Sequence, residues 1–331
     1  MNIDKRNKVV KIVIISAIVV AVLAAILIVI GLLDKNFGLF PEQEQEEQIL
    51  EYNGQEYVLK DGVETFLVMG LDKMSQDKTG DSYNNNQQAD FLMLMVFDNN
   101  SKTYSTIHIN RDTMAEIDIL GVEGTKVGTL NTQIALAHTY GKGGSISNLN
   151  TAKAVSNLLY GAKVNHYMAL TLDSVPAMND LVGGITVEVL NDFTGVEGGE
   201  NLIKGQSVKL TREEALLYVQ GRGGLDTPTN VERMKRQQQF LDAMRVEVEN
   251  RIQTDNSFLA EAVIKMADYM ESDCSSARLE EIGERMKAYE YVEIADIEGE
   301  SKVSSDNKLE FYPAESSLKK IVIDLFYVPK K

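Results

Sequence analysis

The sequence predicts an α/β protein in which helices flank a mixed central sheet and one N-terminal helix crosses a membrane. Short apolar runs bounded by turn residues alternate with longer segments that carry helix-start and helix-stop signals. An uncharged apolar run occupies residues 12–33. The chain has 331 residues and is 44% hydrophobic, which is enough for one substantial core.

The run at residues 12–33 would form a helix of about 33 Å, which spans a bilayer. It is longer than the apolar part of a signal peptide, about 7–15 residues, and the Asp-Lys-Asn-Phe that follows is a poor cleavage site. A retained anchor is therefore favoured over a cleaved leader. The bases that precede the span are Lys5, Arg6, Lys8 and Lys11. Since basic flanks stay inside, we expect residues 1–11 to be a cytoplasmic tail of a single-pass cell-membrane protein with an extracellular C-terminal body.

Residues 34–63 are interpreted as an extracellular spacer, because they include the acidic stretch PEQEQEEQILE. The net charge of −16 argues against nucleic acid as a partner. Cys274 is the only cysteine and cannot form an internal disulfide. The three histidines, at positions 108, 138 and 166, match no metal-ligand spacing and are assigned structural roles.

Three strands are predicted near the start of the body, over residues 64–70, 91–97 and 102–109. Asp72 follows the first, Asp90 precedes the second, and Arg111 and Asp112 follow the third. If the middle strand is antiparallel to both others, these four residues gather at one rim of the sheet. Strand ends at a rim are where α/β proteins commonly place their sites.

Helix and strand signals continue downstream. Helices are predicted at 131–140, 151–160 and 175–182, and strands at 166–172 and 185–190. Capping boxes at Thr211 and Thr229 begin two further helices, the second over residues 231–252.

Arg233, Arg236 and Gln237 occupy one face at the start of that second helix, and Arg222 precedes it. A helix N-terminus with added guanidiniums favours a multivalent phosphate. Each arginine alone could simply pair with an acidic neighbour such as Glu232. Combined with two carboxylates at the rim, however, the set predicts a Mg²⁺–phosphate site, because Mg²⁺ prefers a few carboxylates together with water and phosphate oxygens.

The order of motifs resembles the LytR-CpsA-Psr (LCP) family of bacterial envelope proteins. The motifs are FLVMGLD, QADFLMLMVFD, TIHINRDT, GTLN, DLVGGITVEV, TREEALLYVQGR and NVERMKRQQQFL. The similarity covers residues 64–243, which we expect to form the LCP-like domain, with residues 244–331 as a C-terminal extension packed on it. INRDT and ERMKRQQ are the most specific stretches.

The resemblance implies transfer of a phosphate-linked glycan from a polyprenyl-pyrophosphate carrier to peptidoglycan at the membrane. It implies that Asp72 and Asp90 hold Mg²⁺. Phosphate binding would fall to Arg111, Arg222 and Arg233, with Arg236 and Gln237 matching the family's RQQ stretch. The residues assigned to catalysis on this basis are Arg111, Asp112 and Arg222, with Asp112 orienting the site.

This chain departs from the family pattern in three motifs. Asn110-Arg111-Asp112 stands where many relatives carry Pro-Arg-Asp, and the other two departures replace arginines. Gln88 stands where many relatives carry the arginine of Arg-Ser-Asp, and Gln220 replaces the first arginine of Tyr-Val-Arg-x-Arg. A neutral amide cannot neutralise a phosphate, and a lost charge-assisted bond costs about 1.5–3 kcal/mol. Three functions therefore stay open: a glycopolymer–peptidoglycan phosphotransferase, a carrier-binding or regulatory protein without turnover, and a structural surface protein.

Overall fold

The computed structural model describes residues 49–75, 85, 87–121, 124–221, 230–294 and 296–330. The predicted cytoplasmic tail, the predicted membrane span and most of the spacer, residues 1–48, lie outside this part of the chain. Among the described residues, no helix is both long enough and apolar enough to cross a membrane. Residues 51–331 form one compact unit.

Strands and helices are numbered separately in chain order. The strands are β1 Leu50–Tyr52, β2 Gln55–Leu59, β3 Val63–Leu71, β4 Ala89–Asp98, β5 Thr103–Ile109, β6 Met114–Leu120, β7 Lys126–Gln133, β8 His166–Leu170, β9 Thr186–Glu188, β10 Ser207–Lys209, β11 Met270–Ser272, β12 Glu290–Tyr291, β13 Gly299–Val303, β14 Leu309–Pro313 and β15 Tyr327–Pro329. The α-helices are α1 Gly144–Leu158, α2 Ser174–Val182, α3 Arg212–Gln220, α4 Asn230–Thr254, α5 Phe258–Met266, α6 Ser276–Ala288 and α7 Glu315–Phe326. Two 3₁₀ helices lie at Ile134–Thr139 and Ala267–Tyr269.

The central sheet, in the described part of the chain, has six strands in the order β11-β8-β3-β4-β5-β12. Strand β4 lies antiparallel to both β3 and β5, as the sequence predicts. Strand β3 is parallel to β8 on its other side. The edge strand β11 is antiparallel to β8, and the edge strand β12 is parallel to β5. The sheet is therefore mixed, and the predicted α/β class is confirmed.

Strand β3 reads as an almost continuous apolar run because it lies in the interior of the sheet. Phe66, Leu67 and Met69 are all buried, so both faces of the strand are covered. The pairing with β4 shifts register between Gly70 and Leu71. A Cβ on Gly70 would lie 3.0 Å from Phe91 Cβ, so glycine allows the two strands to approach closely at the point where β3 leaves the sheet.

Two apolar clusters hold the helices to the sheet. One lies around α2, α3 and α4 and includes Phe193, Tyr218 and Phe240. The other includes Phe97 and Ile282 and packs the C-terminal helices on the sheet. Helix α3 begins with the predicted capping box, in which the Thr211 hydroxyl accepts from the Glu214 N–H and the Glu214 carboxylate accepts from the Thr211 N–H. The second predicted box, at Thr229, lies outside the described residues.

Two predicted elements differ from the structure. The helix predicted over residues 131–140 is wrong in its first part, because β7 pairs with β6 through Gln133 and only a short 3₁₀ helix follows. Helix α1 begins at Gly144, earlier than predicted, and ends at Leu158. The region beyond residue 243 supplies both edge strands of the central sheet, and Glu64 on β3 accepts hydrogen bonds from Arg278 and Arg285 of α6.

Candidate functional site

The antiparallel pairing of β3, β4 and β5 brings the predicted polar residues to one rim. Leu71 at the end of β3 pairs with Ala89 at the start of β4, and Ile109 at the end of β5 pairs with Leu92. The backbone N–H of Asp72 donates to the carbonyl of Gln88 at 3.0 Å. Asp72, Asp90 and Arg111 all line a single cavity at this rim.

Asp90 lies between two arginines. Its Oδ1 accepts a hydrogen bond from Arg111 Nη1, and its Oδ2 lies 3.2 Å from Arg233 Nη1. Arg111 Nη2 also donates to Gln88 Oε1. The side chains of Arg111 and Arg233 are only 12% and 4% exposed, so their charges interact strongly with Asp90 rather than being screened by water. The carboxylate therefore fixes both guanidiniums at the mouth of the cavity.

The predicted phosphate-binding face of α4 divides into two parts in the structure. Arg233 reaches the rim, whereas Arg236 is 1% exposed and points into the protein. Arg236 Nε donates to the Tyr218 carbonyl at 2.7 Å, Nη1 donates to Asn191 Oδ1 at 2.5 Å, and Nη2 donates to the Gly221 carbonyl. The structure thus does not bring Arg236 to the cavity, because its donors hold the end of α3 in place.

Gln237 lies at the cavity wall, next to the end of α3. Its Nε2 donates to the Val219 carbonyl at 3.2 Å. Its Oε1 is buried and has no hydrogen-bond partner among the residues that the structure describes. A buried amide oxygen of this kind is an acceptor ready for a donor group on a ligand or for a bound water. Gln220, the last residue of α3, also lines the cavity, while Arg222 lies outside the described residues.

The cavity has a volume of about 650 Å³ and combines a polar mouth with apolar walls. Its apolar lining comes from β3, β4, β8, α2, α3 and α4 and from the β8–α2 connection. The apolar wall residues are Val68, Leu71, Phe91, Met168, Leu170, Leu172, Val175, Met178, Val219, Phe240 and Leu241. The sequence does not single out these residues, because the walls of an apolar cavity and a packed core use the same side chains.

Asp112 lies behind Arg111 and is 5% exposed. Its Oδ1 lies 3.5 Å from Arg111 Nε and accepts a hydrogen bond from Gln133 Nε2 at 3.1 Å. Gln133 Nε2 also donates to the Leu309 carbonyl at 2.6 Å, and the Phe311 N–H donates to the Asp112 carbonyl at 2.8 Å. Strand β14 is thus attached to the arginine-bearing loop. Gln133 carries no motif signal, and only its position at the end of a hairpin strand could have indicated it.

The model of one protein family, described as the LytR_cpsA_psr family, matches residues 40–325. This chain belongs to that family. The predicted resemblance is therefore confirmed, and it extends beyond residues 64–243 into the C-terminal region.

Two curated relatives of this LytR_cpsA_psr protein are similar over about half of the chain. Both are named polyisoprenyl-teichoic acid–peptidoglycan teichoic acid transferase TagU. The protein from Halalkalibacterium halodurans is 27% identical over 180 residues, which is 54% of this chain and 51% of the relative. The protein from Bacillus licheniformis is 29% identical over 178 residues, 54% of this chain and 50% of the relative. The chain thus spans about half the length of the curated relatives that it matches.

Solved structures share the fold at lower identity. B. subtilis TagV matches 81% of this LytR_cpsA_psr chain and 97% of its own, with a TM-score of 0.58 and 22% identity. A structure of TagT bound to LI-WTA matches 80% of this chain and 90% of its own, with a TM-score of 0.59 and 17% identity. At these identities the likeness shows the fold alone.

Proposed function

We propose that this chain is a phosphotransferase that moves a glycopolymer from a polyprenyl-pyrophosphate carrier to peptidoglycan. The observation that carries the proposal is the cavity, whose apolar walls lead to a mouth holding Arg111, Arg233 and two aspartates. A prenyl chain needs an apolar enclosure, and a pyrophosphate needs cations beside it. The names of the two curated relatives support the same carrier class and the same acceptor.

Arg111 and Arg233 are proposed to bind oxygens of the pyrophosphate. Asp90 already holds both guanidiniums at the mouth, so little side-chain freedom is lost when the ligand binds. Arg222, which follows α3 in the sequence, is proposed to bind a phosphate. Gln237 is proposed to accept a hydrogen bond at the wall through its Oε1. Arg236 is proposed to act indirectly by fixing the end of α3.

Asp72 and Asp90 are proposed to hold Mg²⁺. The residues present fit this ion, because both carboxylates line the same mouth and Mg²⁺ prefers carboxylate oxygens. The buried Oε1 of Gln237, which has no hydrogen-bond partner among the described residues, is a further oxygen acceptor in the lining of the same cavity. When bound, Mg²⁺ would supply positive charge to the pyrophosphate oxygens.

The reaction is proposed to be an in-line displacement. An acceptor hydroxyl of peptidoglycan attacks the phosphorus next to the glycan. The bond to the bridging oxygen breaks, prenyl phosphate leaves, and the hydroxyl proton passes to solvent water. Such a reaction depends on positioning and charge stabilisation rather than covalent catalysis. Arg111 would stabilise the departing phosphate, with Asp112 and Gln133 keeping its guanidinium in position.

Carrier binding without turnover is the second candidate, and the two glutamines favour it. Gln88 holds Arg111 through its amide oxygen but adds no charge, and Gln220 is neutral at the cavity wall. Under either candidate the proposed location is the outer face of the cell membrane, with the anchor at residues 12–33.

Replacement of Gln220 tests the two candidates. In a weakened enzyme, Gln220→Arg should raise Mg²⁺-dependent release of prenyl phosphate about tenfold, for about 1.4 kcal/mol of added transition-state stabilisation. The assay uses the full chain, a prenyl-pyrophosphate glycan and a peptidoglycan acceptor. Gln55→Arg is the matched control, because it adds the same charge at an exposed position on strand β2. Retained carrier binding with no release from the parent or from either variant would defeat the enzyme proposal.

A further inference from the structure

Three possible metal ligands meet at the end of the sheet away from the cavity. Strand β8 begins at His166, and β11 ends at Ser272, which pairs with Met168. Because these strands are antiparallel, the residues just after β11 lie beside the first residue of β8. A nitrogen of His166, a carboxylate oxygen of Asp273 and the sulfur of Cys274 all lie within 4.8 Å of one another.

The backbone fixes this arrangement. Asp273 Oδ1 accepts from the Tyr167 N–H at 2.9 Å, which leaves Oδ2 directed at His166. Ser272 Oγ donates to the Tyr167 carbonyl at 2.5 Å and accepts from the Cys274 N–H at 3.1 Å. The Asp273 side chain and the Cys274 backbone are therefore held beside β8 by hydrogen bonds.

His166 faces a carboxylate at each ring nitrogen. Nδ1 lies 3.3 Å from Asp273 Oδ2, and Nε2 lies 3.6 Å from Glu64 Oε1. A neutral imidazole has one N–H and one unprotonated nitrogen, so a ring that donates from Nε2 towards Glu64 presents a lone pair at Nδ1 to a metal ion. Glu64 already accepts from Arg278 and Arg285, which suits it to hold the Nε2–H rather than to bind an ion.

Cys274 supplies the soft ligand. Its side chain is partly buried beside Asp273, and its sulfur is the one soft ligand atom of the three. Imidazole and thiolate together favour Zn²⁺ over Mg²⁺, which prefers oxygen ligands.

We propose that His166 Nδ1, Asp273 Oδ2 and Cys274 Sγ bind Zn²⁺ or a similar divalent transition-metal ion, with water as the fourth ligand. The Cys274 thiol releases its proton to solvent as the metal–sulfur bond forms. Glu64 orients the imidazole from its far side, in the way that carboxylates commonly support a metal-bound histidine. The ion would join β8 of the central sheet to the segment that leads into α6, and so would fasten the C-terminal region to the sheet.

Metal titration of the full chain tests this site without any carrier. After treatment with EDTA, the chain should bind one Zn²⁺, and Co²⁺ should produce a thiolate-to-cobalt absorption band. Cys274→Ser and His166→Gln should each weaken binding at least tenfold and remove or alter the band. Glu271→Gln is the matched control, because it removes an exposed carboxylate on β11, two residues before Asp273, and leaves the three ligands unchanged.

Three results would overturn the site: no Zn²⁺ binding by the folded parent chain, equal affinity in Cys274→Ser, or an equal loss in Glu271→Gln. Circular dichroism melts show whether each variant is folded. Alkylation of Cys274 gives a second measurement that needs no variant, since Zn²⁺ should slow the reaction at least tenfold. An unchanged alkylation rate at saturating Zn²⁺ would also reject the proposal.

Discussion

Replacement of Arg236 by Met separates a structural arginine from a phosphate-binding one. Met keeps the apolar bulk beside Phe193, whose ring centroid lies 5.3 Å from the guanidinium, but it removes every donor. Asn191 Oδ1 and the carbonyls of Tyr218 and Gly221 then lose a charged partner in the interior. A hydrogen bond to a charged group contributes about 1.5–3 kcal/mol, and breaking a buried charged network usually costs about 3–5 kcal/mol.

We therefore expect Arg236→Met to lose about 4 kcal/mol of unfolding free energy. For a body of this size, this corresponds to a fall in Tm of about 8–16 °C. Arg233→Met is the matched control on the same helix, and it should lose less stability but more carrier affinity than Arg236→Met. Its loss of stability should be smaller, about 1–2 kcal/mol, because Asp90 keeps its contact with Arg111.

Affinity for a prenyl pyrophosphate should fall at least tenfold in Arg233→Met and little in Arg236→Met, measured well below both melting temperatures. Differential scanning calorimetry and a titration with the carrier give the two quantities. The reasoning is refuted if the unfolding free energy of Arg236→Met lies within about 1 kcal/mol of that of the parent. It is also refuted if that variant loses more carrier affinity than Arg233→Met.

Two further predictions concern His108 and Gln133. Burial beside Phe91 lowers the pKa of His108 to about 4, so the unfolded chain takes up this proton first as the pH falls. The free energy of unfolding should then decrease from about pH 6.5 towards pH 4 by at most about 3 kcal/mol. Urea unfolding at several pH values should show that His108→Gln lacks this part of the pH dependence. An identical pH dependence in the parent and the variant would exclude a contribution from His108. Gln133→Leu should lower the turnover number about tenfold with little change in KM, because Asp112 loses the donor that fixes it behind Arg111. An unchanged turnover number would show that Gln133 has no positioning role.

The central strands could be predicted from the sequence because each is a short apolar run bounded by turn residues. It also predicted that Asp72, Asp90 and Arg111 lie together, since hairpin pairing alone brings those strand ends to one rim. The helix predicted at residues 131–140 was wrong because β6 pairs with residues 126–133, and a distant partner overrides local propensity.

Contacts between distant segments were not accessible from the sequence. Arg233 and Arg236 stand three residues apart on one helix, yet one faces the cavity and the other the interior, and only the position of α3 decides between them. His166 and Cys274 match no metal-ligand spacing because they meet through the pairing of β8 with β11. A spacing rule finds ligands that are near each other in sequence, whereas His166 begins β8 and Cys274 follows β11 more than a hundred residues later.

The position of β12 has a consequence for how the chain matures during synthesis. This edge strand covers β5, and Ser105 Oγ donates to the carbonyl of Val292 across a separation of 187 residues. At the usual rate of about 5–20 residues per second, the ribosome needs roughly 10–40 s to make the intervening chain. Throughout that interval β5 has an uncovered edge that can pair with another nascent chain. Ribosome stalling between residues 109 and 290 should therefore yield aggregating fragments, whereas chains that are released after β12 should not.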